Sequence, residues 1–365
     1  MSTQLSVHSE LRTPTCIEDV TAAWMTAVMA ATRPGVVVTR CEVVDVIWGN
    51  AAKARFSLAY NRAGEAAGLP PSVIVKGSLG GHPDSHEWNY SIEVWAYRHV
   101  LPHLRVNTPH CYYAGVDAAG RSVMVLEDLA LRNVRFCRVL EPINYAETAR
   151  FLDAYAHLHA QWWGSPELEP GGRFDFLALT MDRSEVGVGN WIDHCLRPEN
   201  WNAVMQLPRA VAMPRSLRDR SRISEAFDKL TVLWSTGPLC INHGDEHLDN
   251  VFIEPDGKPG FFDLQSKRAP WHLSFAYFLG GALDIDDRRR WEQPLLASYL
   301  ERLAVYGVKQ PPTFDDAWLA YRRSLIFGYF IWLNNPVTAQ PEEKNTANTS
   351  RFGMALLDHR SLDLL

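Results

Sequence analysis

No Cys-x-x-Cys pair occurs in the chain, although its 365 residues include six cysteines. Cys16, Cys41, Cys111, Cys137, Cys195 and Cys240 are widely and irregularly spaced. This excludes a zinc ribbon and a disulfide frame, and reads as buried thiols in a reducing compartment. The first residues, MSTQLSVHSE, lack the basic start and apolar stretch of a secretory signal. No apolar run approaches the roughly 18 residues that suggest a membrane span. An excess of positive charge is missing too: 36 Lys and Arg stand against 42 Asp and Glu, a net charge of -6. Nothing chain-wide is therefore available to neutralise a nucleic-acid backbone, though a local cationic pocket for one nucleotide is allowed. Repeats and low-complexity segments are also absent. The expectation is a globular chain of the cytoplasm, with no nucleic-acid partner and no membrane; oligomeric state is left open.

The length exceeds what one hydrophobic core usually serves, so two lobes are expected. Residues 15–31 read as an amphipathic helix with Thr15 and Glu18 as a capping box. From Gly35 to Lys76 the character is β-rich. Val36–Val38, Cys41–Ile47, Ala54–Tyr60 and Ser72–Val75 alternate with turn-like segments, as in an antiparallel meander. A helical pattern follows through Glu93 and Trp95 to Leu101, then a short apolar strand at Ser122–Leu126. Beyond it the chain is mainly helical, with patterns at 144–163, near 222–234, and at 288–306, 314–334 and 350–357. One hairpin interrupts them. Asn250–Glu254 and Gly260–Leu264 flank Pro-Asp-Gly-Lys-Pro, with Asp256-Gly257 at the tip. A small β-rich part before a larger helical one makes an α+β, two-lobed plan.

The chemistry concentrates in His-Gly-Asp-Glu-His-Leu-Asp-Asn at 243–250. Asp245 and Asn250 lie five residues apart, and Asp263 lies thirteen further on, at the far end of the hairpin. The hairpin brings three oxygen-bearing side chains together, and hard magnesium ions take oxygen ligands. Transfer of a phosphoryl group asks a protein for little else: a base at the acceptor hydroxyl, oxygen ligands for the metal, and a cation on the donor phosphates.

HGDEHLDN followed by FFDLQ resembles the catalytic loop and metal-binding aspartate of the aminoglycoside phosphotransferase and choline kinase superfamily. The runs GNAAKARFSLAY, SVIVKG, LEDL and LHAQWW, with Glu93 and Tyr97, are closest to its ecdysteroid kinase-like branch. The resemblance spans about residues 40–335 and implies a protein-kinase-like fold: an N-lobe at 1–126 that covers the nucleotide, a hinge at 127–131 and a C-lobe at 132–365. It implies ATP and Mg2+ as cofactors and a small-molecule hydroxyl acceptor. Asp245 matches the catalytic aspartate, and Asn250 and Asp263 the metal ligands. Lys76 matches the strand lysine that holds the α- and β-phosphates. Glu93 is its expected partner, with Glu87 as second candidate. Glu127 and Leu129 match the hinge whose backbone receives adenine. Three departures stand out. The phosphate-covering loop Trp48–Lys53 has one glycine. Glu246 stands where a leucine is common. Ser274 stands where relatives usually carry an aspartate that braces the catalytic loop.

Two other readings are open. A non-catalytic, nucleotide-binding pseudokinase would follow if Ser274 and the glycine-poor loop disable turnover. A metallohydrolase would follow if His243, Asp245, His247 and Asp249 ligate a metal, although that leaves Lys76 and LEDL unexplained. A lone lysine ending a strand, or a lone glutamate on a helix, is ordinarily solvated surface; only their order relative to the 243–263 segment raises Lys76 and Glu93 above that. Most of the thirteen tryptophans are core. Many aromatics and few clustered carboxylates favour a fairly apolar alcohol as acceptor over an aminoglycoside.

Overall fold

The computed structural model describes residues 11–47, 52–80, 87–183 and 187–365. The glycine-poor loop is therefore outside the described residues at 48–51, as is the polar loop at 81–86. The chain divides into two compact units, Met1–Val134 and Arg135–Leu365.

The first unit is built on a five-stranded antiparallel sheet: β1 (Val38–Ile47), β2 (Ala52–Tyr60), β3 (Ser72–Gly77), β4 (Cys111–Val116) and β5 (Ser122–Glu127), in the order β1-β2-β3-β5-β4. β1 begins only at Val38, leaving Val36 and Val37 outside the strand, then runs unbroken through 41–47, and its register shifts at two points against β2. Strand alternation divides the two faces. Phe56, Val73, Val75, Val123 and Val125 pack on one side with Met25 and Met29 of the helix Ala22–Ala30. Met124, Leu126 and Ala114 pack on the other, with Ile74 and with Val94 and Tyr97 of the following helical segment. The N-terminal helix starts later than its periodicity suggests. Thr15 is taken up by Asp19 in a short 3-10 turn, and Thr21 caps Ala22–Ala30 by accepting from the Trp24 amide at 3.2 Å.

The second unit is mainly helical. The helix Tyr145–Gln161 opens on a capping box of Asn144 and Glu147. Helices Arg220–Trp234, Ile285–Val305, Phe314–Asn334 and Glu342–His359 fall where amphipathic patterns place them, the last extending well upstream of 350. The helix Trp271–Ala282 has no such signature. All of its residues but His272 are buried, so no polar face marks its period. Short strands hold the loops between. β6 (Arg135–Phe136) pairs with β8 (Val251–Ile253), which pairs with β9 (Pro259–Phe261), while β7 (Leu239–Asn242) pairs with β10 (Lys267–Pro270). Among the described residues no helix is long and apolar enough to cross a membrane, and all six cysteines are free thiols.

Candidate active site

In the first unit, β3 alternation turns Ile74 and Lys76 away from the valine core and toward the helix Glu87–Trp95. Lys76 Nζ there donates to Glu93 Oε2 in an ion pair whose members are 5% and 1% exposed. Two charges so far from water persist only when paired and hydrogen-bonded. Glu93 is thus a side chain that meets Lys76.

At the end of β5, Glu127 Oε2 accepts from the His110 amide at 3.0 Å and from Arg132 Nη1 at 3.2 Å. Leu129 is buried in the 3-10 turn Leu129–Arg132. Asp128, which the sequence does not single out, ties this stretch to the sheet. Its buried carboxylate accepts from Arg55 Nε at 2.9 Å, from Ser72 Oγ at 2.7 Å and from the Ala130 amide at 3.1 Å. The side chains of Glu127 and Asp128 are occupied in bracing the strand end.

In the second unit, β7 delivers the loop 243–250. Asn250 Nδ2 donates to the Asp245 backbone oxygen at 3.1 Å and to its Oδ2 at 3.0 Å. That pairing uses the amide nitrogen of Asn250 and takes no part of its Oδ1. The hairpin forms around Gly257 at φ +85, with its amide on Glu254 O at 2.8 Å. Its return strand ends at Phe261, two residues short of Asp263, because Asp263 is left-handed at φ +60. Such a backbone is uncommon outside glycine and costs energy, so it marks a residue whose position is over-determined. The Phe262 amide donates to Asn250 O at 3.1 Å, and Phe262 O meets His243 Nε2 at 3.0 Å, tying the segment before Asp263 to the loop. An amide oxygen and a carboxylate are the hard donors that fit magnesium, whose remaining positions go to water and phosphate.

His247 sits against the Asp245 carboxylate, Nε2 to Oδ2 3.3 Å. Removal from solvent pushes the Asp245 carboxyl up, but the neighbouring imidazole outweighs it and holds it below the usual range. Burial pulls His247 down, and Asp245 more than reverses that. Trp332 packs edge-on to His247, centroids 5.4 Å apart. Trp162, Trp191 and Trp201 of the helical unit pack instead against Phe174 and Phe330. His243 and Asp249 have other work. His243 Nδ1 accepts from the Asp245 amide at 3.3 Å, while Asp249 accepts from the Val139 amide at 3.0 Å and pairs with Lys344 at 2.8 Å. Among the described residues, no group of three His, Cys, Asp or Glu side chains converges as a metal ligand set. The alternating His/Asp pattern therefore does not build the centre a metallohydrolase needs.

The loop also depends on Gly244. Its φ is +91, and a Cβ there would overlap the Gln265 carbonyl oxygen. Gly244→Ala is expected to cost about 1–3 kcal/mol or more in strain and steric overlap, read as a lowered thermal midpoint.

The fold is similar to a choline kinase from Cryptosporidium parvum (TM-score 0.53, 10% identity, 89% of this chain and 90% of that one). It is similar to an ethanolamine kinase from Plasmodium vivax (TM-score 0.52, 10% identity, 88% and 83%). It is also similar to an aminoglycoside phosphotransferase solved with GDP and kanamycin (TM-score 0.52, 11% identity, 90% and 97%). These likenesses establish a two-lobed, kinase-like α+β fold. No curated protein sequence matches the chain. The model of the ecdysteroid kinase-like family matches residues 71–307, more than half of the chain. With Lys76, Asp245, Asn250 and Asp263 all inside that span, the chain belongs to the ecdysteroid kinase-like family.

Proposed function

We propose that the protein is an ATP- and magnesium-dependent kinase of a small molecule, moving the γ-phosphoryl group to an alcohol. The observation that carries this reading is the Asp245–Asn250 contact. It holds a carboxylate suited to be a base and an amide suited to be a metal ligand in one fixed unit. Asp245 would take the proton of the acceptor hydroxyl, and His247 would steady its carboxylate. Asn250 and Asp263 would hold magnesium, which when bound neutralises phosphate charge. Lys76, set by Glu93, would contact the α- and β-phosphates, and the backbone of Glu127 and Leu129 would receive the base. The solved GDP complex of a kinase-like relative supports nucleotide binding by this fold. Trp332, beside His247, supports an acceptor with an apolar part. The cytoplasm remains the expected compartment.

The test is magnesium-dependent release of ADP in the presence of a panel of steroid-like alcohols, hydroxyacyl thioesters, amino alcohols and sugars. Binding of ATP with no transfer to any of them would favour a nucleotide-binding pseudokinase. A second measurement isolates the phosphate contact. The double variant Lys76→Met/Glu93→Gln leaves neither charge buried without its partner. It is expected to weaken MgATP binding by about 10- to 100-fold, the loss of one charge-assisted contact, as read by calorimetry. Unchanged affinity would remove Lys76 from the phosphate site.

A further inference from the structure

Glu246 and Ser274 each look out of place in the sequence, and the structure brings them together. Glu246 Oε1 accepts from the Gly244 amide at 2.9 Å and from Ser274 Oγ. Glu246 is 4% exposed and Ser274 fully buried. The carboxylate folds back over its own loop, taking the amide just before Asp245. The hydroxyl that meets it comes from the helix Trp271–Ala282, the most thoroughly buried helix of the unit and hence a rigid support.

We propose that Glu246 and Ser274 form a two-piece brace that fixes the backbone of the catalytic loop, with the carboxylate supplied by the loop and the hydroxyl by the helix beneath it. Both are positioning residues. The Ser274 hydroxyl meets the loop through the Glu246 carboxylate, which in turn takes the Gly244 amide. A carboxylate alone, buried without a donor from below, would cost more than it holds. Together they replace a single longer acidic side chain rising from the helix. The backbone of Asp245 is then held on both sides: by Glu246 through Gly244 on one, and by Asn250 on its own carbonyl on the other. On this view Ser274 is no sign of a disabled enzyme, because the missing carboxylate sits two residues from the helix's target, on the loop itself. The proposal rests on the reading of Asp245 as the base.

The test is a swap in the full chain, with Glu246→Gln, Glu246→Leu, Ser274→Ala, Ser274→Asp and the double Glu246→Leu/Ser274→Asp. In the double variant the new carboxylate reaches one bond further than the serine, into the space Glu246 vacates. Glu246→Leu is expected to lower turnover about 10- to 100-fold, the penalty for a slightly misplaced reacting group, with MgATP affinity within about threefold, the scatter of neutral contacts. Ser274→Asp alone is expected to lower the thermal midpoint, because two carboxylates then face each other in a buried site. The double variant is expected to recover turnover, thermal midpoint and slow hydrogen exchange of the 240–250 segment. Glu246→Gln and Ser274→Ala, which change size little, keep the comparison available should the leucine variant not fold; each is expected to speed exchange in that segment. A double variant no better than Glu246→Leu, or effects of the two single substitutions that simply add, overturns the brace. If the unaltered protein transfers phosphate to no acceptor, the kinase reading fails on its own. The brace is then judged by the coupling in thermal midpoint and exchange, which needs no turnover.

Discussion

Asp245→Asn is expected to reduce phosphoryl transfer by about 10²- to 10⁴-fold, the range typical of a lost general base, while MgATP still binds. The substitution keeps the side chain's size and an oxygen for the Asn250 amide, so the loop geometry is retained. What disappears is the negative charge that the His247 imidazole stabilises and that, on the proposed function, takes the hydroxyl proton. The carboxylate is about one-third exposed, 38%, so losing its ion pair with His247 is expected to change stability by less than about 1 kcal/mol. A rate within threefold of the unaltered protein would show that Asp245 is not the base. A collapse in thermal stability instead would show that its role is to hold the fold. The measurement is single-turnover transfer beside a thermal melt of the same preparation.

Glu292→Ala is expected to destabilise the helical unit by about 3–5 kcal/mol, the cost of stripping one partner from a buried ion pair. Glu292 Oε2 receives Arg288 Nη1 at 2.7 Å, the Tyr321 hydroxyl at 2.9 Å and His359 Nε2 at 3.0 Å. Arg288 is 1% exposed and turns its other terminal nitrogen to Asp358. One oxygen therefore joins helices Ile285–Val305, Phe314–Asn334 and Glu342–His359. Replacing both ends, Arg288→Met with Glu292→Met, is expected to recover most of the loss, because no charge then remains stranded. The network also sets an acid limit. Burial pushes the Glu292 carboxyl up, but the His359 hydrogen bond and the Arg288 charge hold it below its ordinary value. A carboxyl whose folded pKa is depressed contributes stability above its unfolded pKa, about 4.3, and loses it as pH falls through the folded value. The stability gap between the unaltered protein and Glu292→Ala should therefore be full at neutral pH and narrow below about pH 4. A gap that stays constant to pH 3 would exclude this linkage; chemical denaturation at a series of pH values measures it.

The two sites are not equally visible in the sequence. Asp245 is, because its partners are local: Asn250 lies on the same loop, and Asp263 across a hairpin whose tip is written in Asp256-Gly257. Lys76 is visible for a similar reason, since strand alternation decides its face and the next helix supplies Glu93. The Glu292 network is not: Arg288 stands four residues before Glu292 on the same helix, but Tyr321 and His359 come from two other helices and nothing in their spacing pairs them with it. β4 is also not evident, since Cys111–Val116 mixes tyrosines with glycine and alanine and shows no clean alternation. The helix Trp271–Ala282 escapes detection because burial on every side erases the periodic contrast by which helices are read.

The sequence by itself determined the two-part plan, the hairpin, the acidic loop and the lysine strand, because each is set by contacts within a few residues or by the period of one element. Only the tertiary structure decided which side chain steadies Asp245, where the return strand stops, and why Glu246 and Ser274 coexist. Those depend on groups far apart in the chain. Ser274 comes 28 residues after Glu246, on a helix with no local mark of its own. Whether a lone carboxylate and a lone hydroxyl are defects or halves of one support is settled by the distance between them in space, which spacing along the chain does not encode.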